Sequence, residues 1–327
     1  MAVGLAMSCA AHAQKHDELV KPMAGPRATA LQVTSLYISP STSSQRIDKI
    51  QIGREMVVAE KSGTWLRVYA NTDIEEVEEG PDTPMVGSDS TPPPVSGWAQ
   101  AKGIVEEDTP NGDQVVMGTA ANEESLASDP RGPVNAAQAA RLLYRRVTEM
   151  FPNSALAPEA AWRAADIPWQ ITKGNNASLP SAREQASYLR PQIDESDLKK
   201  VIKQYPRTRW AALAAFDLID NRLCGDWQGS TKCPEKEAEI YEDYARDYPD
   251  GPRAARALYE AVYRMAVLTN MYESAGNDGK SAAAHKHASE LAAQLRAHFA
   301  NSEFTWRAGA LVYKLDEGIP VYGIELQ

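Results

Sequence analysis

A short motif recurs four times in the C-terminal two-thirds of this chain, and it constrains the fold more than any other feature. The copies are Phe151-Pro152-Asn153-Ser154, Tyr205-Pro206-Arg207-Thr208, Tyr248-Pro249-Asp250-Gly251 and Phe299-Ala300-Asn301-Ser302. Four residues before each aromatic stand Val147, Val201, Tyr244 and Leu295. Six residues after it stand Ala157, Ala211, Ala254 and Thr305, and nine after it Ala160, Ala214, Ala257 and Ala308. A residue before Pro is pushed out of the α region, so the aromatic ends a helix. Ser, Thr or Gly three positions on is suited to start the next. An apolar residue, a stop, a start and small residues at helical spacing describe a helical hairpin. Four hairpins imply a stacked solenoid, because one hairpin cannot bury its apolar face alone. Such an array points to binding rather than to chemistry.

From Asn135 the apolar period is helical, as in Ala139, Leu142, Leu143, Val147 and Met150. Residues 133–320 are therefore assigned to the helical domain. The motif aromatics are 54, 43 and 51 residues apart, against about 34 for a standard tetratricopeptide repeat. Insertions at Thr172–Pro191, around the cysteines and at Glu273–Gly279 account for the surplus. The first second helix is expected to run towards Pro168. The motif and its small residues resemble the tetratricopeptide-type repeats of bacterial envelope proteins, particularly outer-membrane assembly lipoproteins and Tol-Pal-associated coiled-coil proteins. That resemblance implies protein partners in the cell envelope.

Residues 28–108 have a different period. Leu31 and Val33, then Leu36 and Ile38, alternate with polar neighbours as half-buried strands do. Turns at Gly53 and Ser62-Gly63 separate Met56–Ala59 from Thr64–Tyr69, and Gly97-Trp98-Ala99 and Gly103-Ile104-Val105 supply closing strands. Residues 71–96 are an acidic, Pro-rich insert containing Pro92-Pro93-Pro94, and residues 109–132 read as an interdomain linker. The ordered set Leu36-Tyr37-Ile38, Gly53, Ser62-Gly63-Thr64-Trp65-Leu66-Arg67-Val68 and Gly97-Trp98-Ala99 resembles the bacterial SH3-like domain. The family's Arg-Ser-Gly step is reduced here to Ser39 between Ile38 and Pro40. The resemblance implies docking on cell-wall peptides or on protein. Trp65 and Trp98 read first as core residues of a tiny domain and Tyr37 and Tyr69 as surface aromatics. The four together are the candidate ligand-binding residues. The expected fold is thus multidomain: a small all-β SH3-like barrel, then an all-α tetratricopeptide-like helical-hairpin solenoid.

The 327 residues carry a formal charge of −10, which gives phosphate backbones no field to follow and argues against nucleic acid as partner. Fourteen acidic residues between 71 and 129 face one Lys102, so that stretch holds −13 and the remainder +3. Met1–Ala13 reads as the end of a secretory signal, cleaved after Ala13, though without a basic n-region. Lipid anchoring at Cys9 is the weaker alternative, and an ordinary N-terminus the bland one. No apolar run is long enough to span a bilayer. Export places the chain in the periplasm or outside the cell, where Cys224 and Cys233 read as a local disulfide rather than two free thiols.

Catalytic, metal and cofactor motifs are not found in the sequence. His285 and His287 point roughly 200° apart on a helix and cannot share a metal. His-Glu-x-x-His, phosphate-loop and Gly-x-Ser-x-Gly patterns are missing. The residues therefore favour a non-enzymatic envelope scaffold with no cofactor. Two alternatives stay open: a peptidoglycan hydrolase or its accessory that uses the barrel for targeting, and a cytosolic adaptor.

Overall fold

The computed structural model describes residues 24–73, 95–179, 191–225, 227 and 229–322. The signal segment with Cys9, nearly all of the acidic insert and most of Thr172–Pro191 lie outside the described residues.

Helices α2 (Ala136–Met150) and α3 (Ala157–Ser178), α4 (Ser196–Gln204) and α5 (Arg209–Asp217), α6 (Lys232–Asp247) and α7 (Ala254–Ser274), and α8 (Asp278–His298) and α9 (Glu303–Asp316) form four hairpins. A 3-10 turn, Leu218–Arg222, extends α5. The motif makes the same turn each time. Phe151, Tyr205, Tyr248 and Phe299 have φ between −124° and −132° and ψ between 42° and 61°. Each donates its N–H to the carbonyl of the apolar residue four before it, at 3.0, 3.0, 2.9 and 2.7 Å. Each carbonyl then accepts from the residue three after it, Ser154, Thr208, Gly251 or Ser302. Thr208 Oγ1 and Ser302 Oγ cap the N-termini of α5 and α9. The small residues explain the close packing: all of Ala157, Ala160, Ala211, Ala214, Ala254, Ala257 and Ala308 are buried. Helix α3 runs ten residues beyond Pro168, to Ser178, so the proline sits inside it rather than ending it.

The N-terminal part is one antiparallel sheet of seven strands. These are β1 (Arg27–Ala30), β2 (Thr34–Tyr37), β3 (Arg46–Ile50), β4 (Glu55–Ser62), β5 (Trp65–Ala70), β6 (Val95–Gln100) and β7 (Ile104–Glu106). Their order is β3-β2-β6-β5-β4-β1-β7. Leu36, Ile50, Met56, Val58, Leu66, Val68 and Ala99 form its core. Gly97 is required there, since a Cβ would lie 2.6 Å from Leu36 Cγ and 3.0 Å from the Tyr37 carbonyl.

The expected linker is corrected. Residues 112–127 of it form a helix, α1 (Gly112–Ala127), packed against α2. Its acidic residues conceal a narrow apolar strip, Val116 and Ala120, which is fully buried. These two join Val105 of β7 with Leu143, Tyr144 and Val147 of α2 in one cluster. Burial of Val105, Val116, Leu143 and Val147 contributes about 1.5–3 kcal/mol for each side chain and joins sheet to hairpins. Gly112 lets α1 meet the first motif turn, because a Cβ there would lie 2.6 Å from Phe151 Cζ.

Candidate binding surfaces

Strand alternation decides where the candidate aromatics point. Leu66, Val68 and Ala70 of β5 face the core, so Trp65, Arg67 and Tyr69 face outwards. Register sets Trp98 of β6 beside both Arg67 and Tyr37. The Tyr37 ring meets Trp65 edge-on, with centroids 5.6 Å apart at 86°. Trp65 and Trp98 are half-buried on this outer face, which overturns the reading that they fill the core. The face brings together Tyr37, Trp65 and Trp98, while Tyr69, opposite Ser96, lies further along the same side. A two-ring contact contributes about 0.5–1.5 kcal/mol beyond area. The exposed Arg67–Glu60 pair, at 3.8 Å, adds little.

The sheet is fixed to the hairpins by a buried charge cluster. Arg146 of α2 has no exposed side-chain surface. It donates to the Gly53 carbonyl at 3.0 Å and to Glu55 Oε2 at 2.8 Å, and it pairs with Asp73 and Glu149. Arg27 bridges Glu55 and Glu149 from β1. Burial lowers the Arg146 pKa despite its three carboxylates. Burial also raises that of Glu55, but Arg27 and Arg146 outweigh it and hold the carboxyl below its ordinary value.

A second surface runs along α3, α5, α7 and α9. The residue eleven after the motif aromatic is Trp162, Phe216 or Tyr259, and each packs on the residues five or eight after the next aromatic. Trp162 stacks on Trp210, with centroids 5.3 Å apart. Arg253 and Arg256 lie over Phe216 at 6.0 and 5.4 Å. Tyr259 packs on Phe304 at 5.7 Å, with Arg307 4.4 Å from its centroid. Sequence reasoning missed this ladder, although extending the motif register to plus eleven would have exposed it.

Beside Trp162, whose Nε1 donates to it at 3.2 Å, Asp217 is half-buried. Desolvation, then the Asp166 charge, pushes its pKa up to about 7. The cysteines form the expected disulfide. Its loop is anchored inside: Cys224 N–H donates to Glu237 Oε1 at 2.7 Å, and Glu237 Oε2 accepts from Arg264 Nε at 2.8 Å. Trp227, from the loop, is buried near Tyr263, with ring centroids 6.4 Å apart.

His285 pairs with Asp316 and His287 with Glu242, each at 2.9 Å. Among the described residues no group of three or more His, Cys, Asp or Glu could hold a metal, and no helix is long and apolar enough to cross a membrane. A hollow of about 350 Å³ between the start of α1 with the segment before it and the first motif turn is lined by Asp108, Asp113, Phe151 and Ser154.

No protein-family model matches the chain, and no curated protein does. Solved structures similar to it include the DHF79 filament, 16% identical with a TM-score of 0.21, covering 63% of this chain and 98% of that chain. The de novo designed helical repeat protein DHR64 is 15% identical with a TM-score of 0.23, covering 64% and 95%. Similarity this low carries no argument about function, so the architecture stands on the chain's own elements: an antiparallel sheet fixed to a stack of helical hairpins.

Proposed function

We propose that this protein is a non-enzymatic scaffold of the bacterial cell envelope, with an SH3-like module fixed to a tetratricopeptide-like array. Tyr37, Trp65 and Trp98 supply one docking face, for protein or for cell-wall peptides. The hairpins supply the other, for protein partners. The observation that carries this reading is the outward aromatic face on a sheet locked to α2 through Arg146. Aromatics held half in solvent by a rigid backing offer contact area at small entropic cost. The disulfide is compatible with export to an oxidising compartment.

The test is capture from envelope extracts and from digested peptidoglycan, using the full chain and its Tyr37→Ala/Trp98→Ala variant. Specific capture by the full chain, weakened in the variant, supports the reading. Equal recovery by both chains contradicts the role of the face. Clearing of peptidoglycan in a zymogram contradicts the non-enzymatic part.

A further inference from the structure

We infer that the outer face of α9 docks a second copy of this chain, and that the two copies form a closed two-fold dimer through it. Motif register identifies the face. Fourteen residues after the motif aromatic stand Ala165, Ile219, Val262 and Tyr313. In the first three hairpins this residue is buried in a cluster shared with the first helix of the hairpin that follows. Ala165 is grouped with Leu198 of α4, Ile219 with Ile240 of α6, and Val262 with Leu291 of α8. In α9 the same position carries Tyr313, which is 61% exposed. Trp306, two turns earlier on the same side of α9, is 67% exposed. The side that each earlier hairpin turns towards its successor is therefore aromatic and open in the last one.

Such a face fits another helix of the same kind, and the far end of the array cannot supply one. There α1 and β7 already cover α2, through Val116, Ala120 and Val105. Head-to-tail stacking, which would grow into a filament, thus lacks its second surface. What remains is α9 against α9 of another copy, and a like-with-like contact closes on a two-fold axis. The order of residues on the face suits that axis. Gly309 and Ala310 stand midway between Trp306 and Tyr313. With the helices antiparallel and the axis between Gly309 and Ala310, Trp306 of each copy lies opposite Tyr313 of the other. A Cβ on Gly309 would meet nothing within 4 Å, so no contact inside the chain calls for glycine at this interior helix position. Close approach of a second helix does.

The charges agree with this register. Glu303 and Lys314 are exposed and stand three turns apart on one flank of the face. In the antiparallel pair Glu303 of one copy comes within reach of Lys314 of the other, and the symmetry makes this contact twice. Glu317 comes level with Ser302 at the start of the other α9, where the helix dipole favours an acid. One helix on its twin buries less than the about 1,600 Å² of a standard interface, so the dimer is weak and depends on concentration.

Sedimentation velocity of the full chain from about 1 to about 200 µM is expected to show monomer passing to dimer, with a midpoint on the order of tens of micromolar. Trp306→Glu and Gly309→Leu are each expected to weaken the dimer at least about tenfold. Both side chains point away from the core, so helical circular dichroism and melting temperature should match those of the parent chain. Glu303→Lys and Lys314→Glu should each weaken the dimer alone and restore it together. Trp98→Ala should dimerise normally. A chain that stays monomeric throughout, a dimer indifferent to the Trp306 and Gly309 variants, growth beyond the dimer, or no rescue by the charge exchange overturns the proposal. A monomer that dimerises only when residues 323–327 are removed overturns it as well, and gives the face to that segment. The dimer does not rest on the envelope scaffold reading, and neither result decides the other.

Discussion

Arg146 of α2 donates through Nε to the carbonyl of Gly53, 3.0 Å away on the turn into β4, with its whole side chain out of solvent. That contact joins two parts of the chain with different periods. Glu55, Asp73 and Glu149 all converge on the Arg146 guanidinium.

Replacing Arg146 by Met is expected to destabilise the chain by about 3–5 kcal/mol, because it strands carboxylates that burial has removed from water. Arg27 and Arg54 retain contacts to Glu55 and Asp73, which favours the lower end. Urea unfolding followed by far-ultraviolet circular dichroism and by tryptophan fluorescence checks this. One shared transition in the parent chain is expected to separate into two in the variant.

Asp217 gives stability a pH dependence of unusual sign. Its pKa is raised from 3.8 to about 7, by burial first and then by Asp166, with Asp220 adding to the rise and Trp162 and Lys173 opposing it. Between those values the folded chain holds a proton that the unfolded chain has lost. This contribution to stability is therefore full below about pH 4 and falls away as pH rises through 7. Asp217→Asn is expected to raise the melting temperature at pH 8, to leave it nearly unchanged at pH 4, and to flatten the profile between.

Reducing the Cys224–Cys233 bridge, or replacing both cysteines by serine, is expected to cost about 2–3 kcal/mol, as suits a short closed loop. Trp227 and the Cys224 N–H held by Glu237 lose their restraint. Thermal melts with and without dithiothreitol check this, with a red shift in tryptophan emission. The double serine variant should melt independently of the reductant.

Trp98→Ala should leave the fold intact, since Leu36, Leu66, Val68 and Ala99 make the core without it. Proton NMR dispersion should therefore be retained. Gly97→Val, one position earlier, should unfold the sheet instead, because Leu36 and the Tyr37 carbonyl occupy the space.

The hairpins were legible because their signals are local. The aromatic stop, the cap at Thr208 or Ser302 and the alanines six and nine residues on all lie within one short stretch of chain. Helix α1 was not legible. Two buried residues, Val116 and Ala120, decide it among acids and turn formers, and their partners Leu143 and Tyr144 are distant in sequence. The outward direction of Trp65 and Trp98 needed the register of β5 against β6, which composition does not reveal. Pro168 misled for a related reason, since packing of Trp169 against Leu198 and Val201 carries α3 past it. The ladder lay in the sequence at a fixed offset, but only contacts between successive hairpins give that offset meaning.

Site-specific photo-crosslinking in cells of the source organism tests the central claim most directly. A benzophenone side chain is placed in turn at Tyr37, at Arg253 and at Lys286, an exposed residue on neither surface. The account expects discrete covalent adducts from Tyr37 and Arg253 and none from Lys286. Adducts of equal yield from all three positions, or from none, would contradict it.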